Sequence, residues 1–313
     1  MNRYNVTKLF QPETAEAVLH EVLVIVKLIS ANFNTDPVSD VFNAANRLYE
    51  GKYPGYRACN TDYHDFPHVS AVFLAMARMI HGAVLDNMTF TERQVVLGLA
   101  AAILHDAGYI QEESDRGGTG AKYTASHVQR SMDFVSRHGG QFGLSRRESA
   151  TCRDIIICTD LAIDIKTISF PNPKIKLLGK MLGTADLLAQ LADRLYLEKL
   201  LLLYHEYKEA GVGDYESELD VLKNAVEFYD YFEKRLKTTL DVTDRFMRSH
   251  FASRWNIQKN LYHEVITRQK NYLLKILKIP HSDPRDFLKR GGIVAHVRKK
   301  YRQKDSKFGG KSH

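Results

Sequence analysis

Cysteine is scarce: the 313-residue chain has three, Cys59, Cys152 and Cys158. No two form a CxxC pair, which excludes a disulfide framework and a thiolate zinc site and fits a reducing compartment. Also missing is any run of about 18 uncharged apolar residues, the length a bilayer demands. The first apolar stretch, 18–30, is interrupted by His20, Glu21 and Lys27, so it reads as an amphipathic helix and not as a signal sequence. A cytoplasmic protein with no membrane span is expected. Strand patterns are equally rare. β-Branched residues gather only at 155–158 and 163–168, and the first group, beside Arg153 and Asp154, suits a buried helical turn as well as a strand. The glycine-rich segment 111–122 lacks the GxxxxGK[ST] spacing and a preceding strand, which favours a lid or connector over a nucleotide cradle. His-Glu dipeptides begin at His20, His205 and His263, but none has the second histidine of an HExxH zinc motif.

Positive charge is not spread evenly. Residues 288–313 hold nine Lys or Arg against one Asp, while the rest of the chain has 35 basic residues against 36 acidic ones. The net charge of +7 therefore belongs to an appendage. A single domain over 1–287 is expected, followed by a flexible basic tail over 288–313 with nucleic acid or an acidic surface as its candidate partner.

What the sequence has in quantity is helical periodicity. Apolar residues recur at three and four over 15–29, 69–80, 93–104, 128–137, 175–207 and 219–240, which predicts an all-α fold. Glycine and proline at 51–55, 108, 139–140, 171–173 and 211–213 mark loops between these helices.

Histidine carries the chemistry. With 13 histidines, about one His-Asp dipeptide is expected by chance and two occur, so the setting must decide their meaning. His105-Asp106 ends the run 95–104, which is apolar on nearly every side. Such a helix is buried, and an imidazole and a carboxylate at its end must be paired or bound to a metal. The other dipeptide lies in Tyr63-His64-Asp65-Phe66-Pro67-His68. Its two histidines, four apart, share a helix face if Pro67 sits in the first turn; they either serve one site or lie together on the surface. Asp186, among Leu182, Ala185, Leu187 and Ala189, reads as a buried ligand. A set of imidazoles and carboxylates without thiolate suits Zn²⁺, Fe, Mn²⁺ or Mg²⁺, and a carboxylate beside a histidine can bridge two ions. Phosphoester hydrolysis is the chemistry such a site performs.

At these residues the sequence resembles the HD superfamily of metal-dependent phosphohydrolases, and within it the catalytic domains of class I cyclic nucleotide phosphodiesterases. Tyr63 to His68 is similar to their Tyr-His-Asn-x-x-His segment, and 97–106 to their apolar helix ending in His-Asp. His127 is similar to a later histidine before a helix, Ile157-Cys158-Thr159-Asp160 to an aliphatic-x-Thr-Asp stretch, and Asp186-Leu187 to the final Asp-Leu; the match spans 63–190. The resemblance implies an HD-like helical bundle with additional N- and C-terminal helices. It implies that His68, His105, Asp106 and Asp186 bind a transition metal (zinc, iron or manganese), with Asp106 reaching a second ion, magnesium or manganese. His64 would be the general acid that completes attack by a metal-activated hydroxide. Asp65, His127 and Asp160 would stand behind the ligands or serve the second ion, and Asp160 would be a hydrogen-bond anchor. Three positions differ from the phosphodiesterases: Asp65 replaces their Asn, Ala-Gly-Tyr follows the His-Asp, and Gly183 stands where they carry a histidine. The substrate expected is therefore a small phosphoester such as a nucleotide, with no preference for cyclic forms implied. Two other functions remain open: a nucleoside phosphate monoesterase or triphosphohydrolase on the same ligands, and a metal-containing binding protein that acts through its basic tail.

Overall fold

The computed structural model describes Pro12 and residues 14–308, with side chains as far as Tyr301. Among these residues the protein is all-α. The helices are α1 Ala15–Ile29, α2 Asp36–Tyr49, α3 Phe66–Leu85, α4 Glu92–Leu104, α5 His127–His138, α6 Arg146–Ile156, α7 Pro173–Leu191, α8 Tyr196–Ala210, α9 Glu218–Thr238, α10 Arg245–Trp255, α11 Leu261–Leu277 and α12 Ile293–Phe308. The described residues form no strand, and a single isolated bridge joins Tyr56 to Glu112.

The helix starts follow local chemistry. Asp65 caps α3 by accepting the His68 amide at 2.9 Å, and Pro67 falls in the first turn, where its missing donor costs nothing. Thr91 with Gln94 and Ser145 with Glu148 form capping boxes at α4 and α6, and Asn172 caps α7. Helix α3 is apolar on nearly all sides and packs against α1, α4, α7 and α10. It is long and apolar enough to cross a membrane, yet 78% of its most apolar window is buried within the fold, where it serves as the core helix.

Two expectations change, and the all-α reading holds at the β-branched runs. The single helix read over 175–207 is two, α7 and α8, because Asp193 interrupts it: its carboxylate accepts the Leu195 amide at 2.9 Å and its carbonyl accepts the Tyr196 amide at 2.8 Å. The β-branched runs form no strand: 155–158 ends α6 and enters a 3₁₀ turn, and 163–168 holds the turn Ile165–Thr167. Residues 288–313 are not simply a flexible tail. Leu288 and Val297 are buried, Ile293, Val294 and Tyr301 pack on the core, and α12 lies against α8. Apolar residues three and four apart give this basic segment a buriable face, which its charge disguised. Residues 309–313, and the side chains beyond Tyr301, lie outside the described residues.

Gly82 marks the tightest crossing of the core. A Cβ there would stand 1.8 Å from the Phe246 carbonyl oxygen of α10. Gly82→Ala is expected to cost about 3 kcal/mol of stability, because the backbones of α3 and α10 must separate. Thermal unfolding followed by circular dichroism checks this; an unchanged midpoint would show that the two helices do not meet there.

Candidate metal centre

The site forms where the start of α3, the end of α4, the start of α5, and the C-terminal halves of α7 and α8 converge. Because α4 is buried along the whole of 95–104, its end is buried too, and His105 and Asp106 are 1% and 2% exposed. His105 Nδ1 donates to the Ala102 carbonyl at 2.8 Å, one of the carbonyls that a helix C-terminus leaves without an intrahelical donor. A carbonyl can only accept, so Nδ1 carries a proton and Nε2 is the nitrogen left to face a ligand.

That nitrogen faces the other candidate ligands. His105 Nε2 lies 3.4 Å from Asp106 Oδ2 and 3.6 Å from Asp186 Oδ1, while His68 Nε2 lies 3.5 and 3.3 Å from the same two oxygens. His68, His105 and Asp106 each offer a ligand atom within 4.8 Å of the others. These separations are long for hydrogen bonds. They match the spacing of ligands on a shared ion, since donors about 2.1 Å from a tetrahedral centre are about 3.4 Å apart. His105 Nε2 and Asp106 Oδ2 are both buried with no hydrogen-bond partner, and such atoms are costly unless something binds them. The donor set and its spacing thus fit a divalent transition metal.

The electrostatics agree. Burial opposes charge on His105, but the Asp106 and Asp186 carboxylates outweigh it and raise its pKa to about 9. Burial likewise works against the Asp186 carboxylate, and His105 and His68 overcome it and hold its pKa far below the usual range. The pocket therefore draws positive charge.

Of the remaining candidates, His127 faces Asp106 from the other side, with Nε2 3.7 Å from Oδ1, and its Nδ1 donates to the Thr124 carbonyl at 2.6 Å. Burial lowers its pKa, against the pull of Asp106, so its Nε2 is available as a ligand. His64 lies beside the cluster with Nδ1 2.6 Å from Glu206 Oε2. Asp65 serves as the cap of α3, and burial raises its pKa. Asp160 is not brought into contact with the ligands: its carboxylate accepts the Ala162 amide at 2.8 Å and its carbonyl is held by Arg235 at 2.9 Å. No histidine can stand at 183, because a Cβ there would lie 2.5 Å from the Cys158 carbonyl oxygen.

Two residues of the site escape the sequence patterns. Glu206 is 4% exposed and accepts both His64 Nδ1–H and the Tyr63 amide, the latter at 2.6 Å. It belongs to a His-Glu dipeptide that means nothing as a zinc motif; an acid on the apolar face of a leucine-rich helix was the signal. Tyr109 packs against the imidazoles of both His64 and His127, with ring centroids at 4.2 and 4.7 Å, and its hydroxyl is 3.4 Å from His64 Nε2. The segment 111–122 is pinned beside the site. Asn60 Nδ2 donates to Gln111 Oε1 at 2.7 Å and Thr119 Oγ1 to Glu209 Oε2 at 2.9 Å.

A family model, Npun_R2479-like, matches residues 111–270, just over half of the chain, and the chain belongs to this family. The matched region includes His127, Asp186 and Glu206, and ends short of His64, His68, His105 and Asp106 on the N-terminal side. No curated protein matches the chain.

Adding Mn²⁺ or Zn²⁺ at about 100 times its dissociation constant is expected to stabilise the wild-type protein by about 2.7 kcal/mol. His105→Ala and Asp106→Ala should abolish the rise in melting temperature, and Asp160→Ala should keep it. Equal rises in wild type and Asp106→Ala would put the ion elsewhere.

Proposed function

We propose that this member of the Npun_R2479-like family is a divalent-metal-dependent phosphohydrolase that cleaves a phosphodiester in a nucleotide or a similar small molecule. The observation that carries this is the pair of buried, unpartnered atoms, His105 Nε2 and Asp106 Oδ2, facing the same space as His68 Nε2 and Asp186 Oδ1. A dication held by these four residues supplies Lewis acidity at a phosphoryl oxygen and makes water nucleophilic near neutral pH.

The protein's own residues supply the proton. Glu206 holds the His64 Nδ1–H, and Nε2, 3.4 Å from the Tyr109 hydroxyl, is the nitrogen left to serve a leaving oxygen. Burial disfavours the imidazolium, yet the charge and hydrogen bond of Glu206 outweigh it and raise the pKa of His64. His64 is thus suited to arrive protonated and to donate from Nε2 as the ester bond breaks. The Tyr109 ring stacks on the His64 ring and restrains its plane. Two basic residues of the C-terminal segment, Lys300 and Arg298, are spent on Asp62 and Asp286, which weakens the rival of a binding protein acting through a free tail.

Cyclic and linear nucleotides assayed with Mn²⁺ test this directly and separate diester from monoester or triphosphate substrates. His64→Gln is expected to lower kcat about 10²–10⁴-fold on esters with an alkoxide leaving group while metal binding persists. Asp106→Ala should remove metal and turnover together. Metal bound in full with no phosphoester cleaved would overturn the proposal.

A further inference from the structure

Helix α12 meets the site at two points that the proposed chemistry does not use. Tyr301 lies flat on His205, with ring centroids 3.4 Å apart and planes 3° from parallel. Its hydroxyl donates to Asp62 Oδ2 at 2.6 Å, and Lys300 Nζ donates to both oxygens of Asp62 at 2.8 and 2.5 Å. Asp62 stands two residues before His64, and His205 one before Glu206. A single side chain of α12 therefore touches both arms of the hydrogen-bonded pair His64–Glu206.

The two arms meet directly where Glu206 also accepts the Tyr63 amide at 2.6 Å, and α12 adds a second tie farther along the loop. Residues 57–65 between α2 and α3 form no helix, so His64 rides on irregular backbone whose internal support is the Thr61 hydroxyl donating to the His64 carbonyl at 2.6 Å. Glu206, in contrast, is on a regular helix. His205 is held from its far side by Glu218, 3.0 Å from Nε2, and Glu218 in turn by Arg285 at 2.7 Å. The His205 ring is thus a fixed platform and the Asp62 loop is the part to be held. The buried Val297 and the pair Arg298–Asp286 at 2.7 Å anchor α12 independently of the loop.

We infer that α12 is a positioning element for the proton donor: Tyr301 ties the Asp62 loop to His205 on α8 and so keeps His64 Nδ1 on Glu206. This rests on the proposed role of His64 for its catalytic consequence, but not for its geometry. Tyr301 touches neither ligands nor substrate; it acts through the loop.

Full-length variants test it by two readouts. In protein labelled with ¹⁵N-histidine, the His64 Nδ1–H bound to Glu206 gives a downfield proton resonance, identified by its loss in His64→Gln. Tyr301→Ala and Asp62→Ala are expected to shift or broaden it; Tyr301→Phe, which keeps the ring and removes the bond to Asp62, should do so to a lesser degree and guards against a variant that fails to fold. In turnover, Tyr301→Ala should lower kcat about 10-fold or more on alkoxide leaving groups with KM unchanged, and spare nitrophenolate, which leaves without a proton. A resonance unchanged in Tyr301→Ala overturns the inference, as does equal loss of kcat on both leaving groups. A resonance that moves in a protein whose wild type cleaves no phosphoester would uphold the tie and defeat the phosphohydrolase proposal alone.

Discussion

Asp106 and Asp186 are brought against His68 and His105 at a site where Asp106 and both imidazoles are buried and Asp186 is partly open to water. Removing a carboxylate from water costs several kcal/mol even after relaxation, and the cost is recovered only through close countercharge and filled hydrogen-bond positions. Here His105 commits its Nδ1 proton to a backbone carbonyl and turns Nε2 to the two carboxylates. Such a cluster calls for positive charge, from protonated imidazole or from a bound cation. Much of the surrounding architecture serves this requirement.

One contact does two things at once. The end of α4 leaves carbonyls without donors, and the His105 ring supplies one to Ala102. The helix end is thereby satisfied and the proton on Nδ1 of this candidate ligand is fixed. The same device recurs at His127 on the Thr124 carbonyl, and with a carboxylate in place of a carbonyl at His64 on Glu206. Three imidazoles thus have their protons assigned by neighbours outside the cluster, which orients each Nε2 before any ligand arrives. Asp65, capping α3, fixes the backbone of His68 in the same spirit.

The helical class and the central cluster were legible because both are periodic or local. Apolar spacing outlines α1, α4, α5 and α9 closely, and the burial of His105-Asp106 follows from ten apolar residues before it. The break between α7 and α8 was hidden because Asp193 is one polar residue in a continuous apolar rhythm, and its capping is visible only once the backbone turns. The docking of α12 was hidden by charge: Val297 and Tyr301 are few among lysines and arginines. Glu206 and Tyr109 were missed for a different reason. Their roles depend on contacts 142 and 45 residues away along the chain, and no local pattern records those. Asp160 shows the converse, a matched motif position whose carboxylate is occupied by its own turn.

Crystals grown with Mn²⁺ or Zn²⁺ and measured across the metal's absorption edge test the central claim most directly. The account predicts an anomalous peak within coordination distance of His68 Nε2, His105 Nε2, Asp106 and Asp186. Direct hydrogen bonds closing these four side chains on one another, with the anomalous signal absent or at another place in the fold, would contradict it.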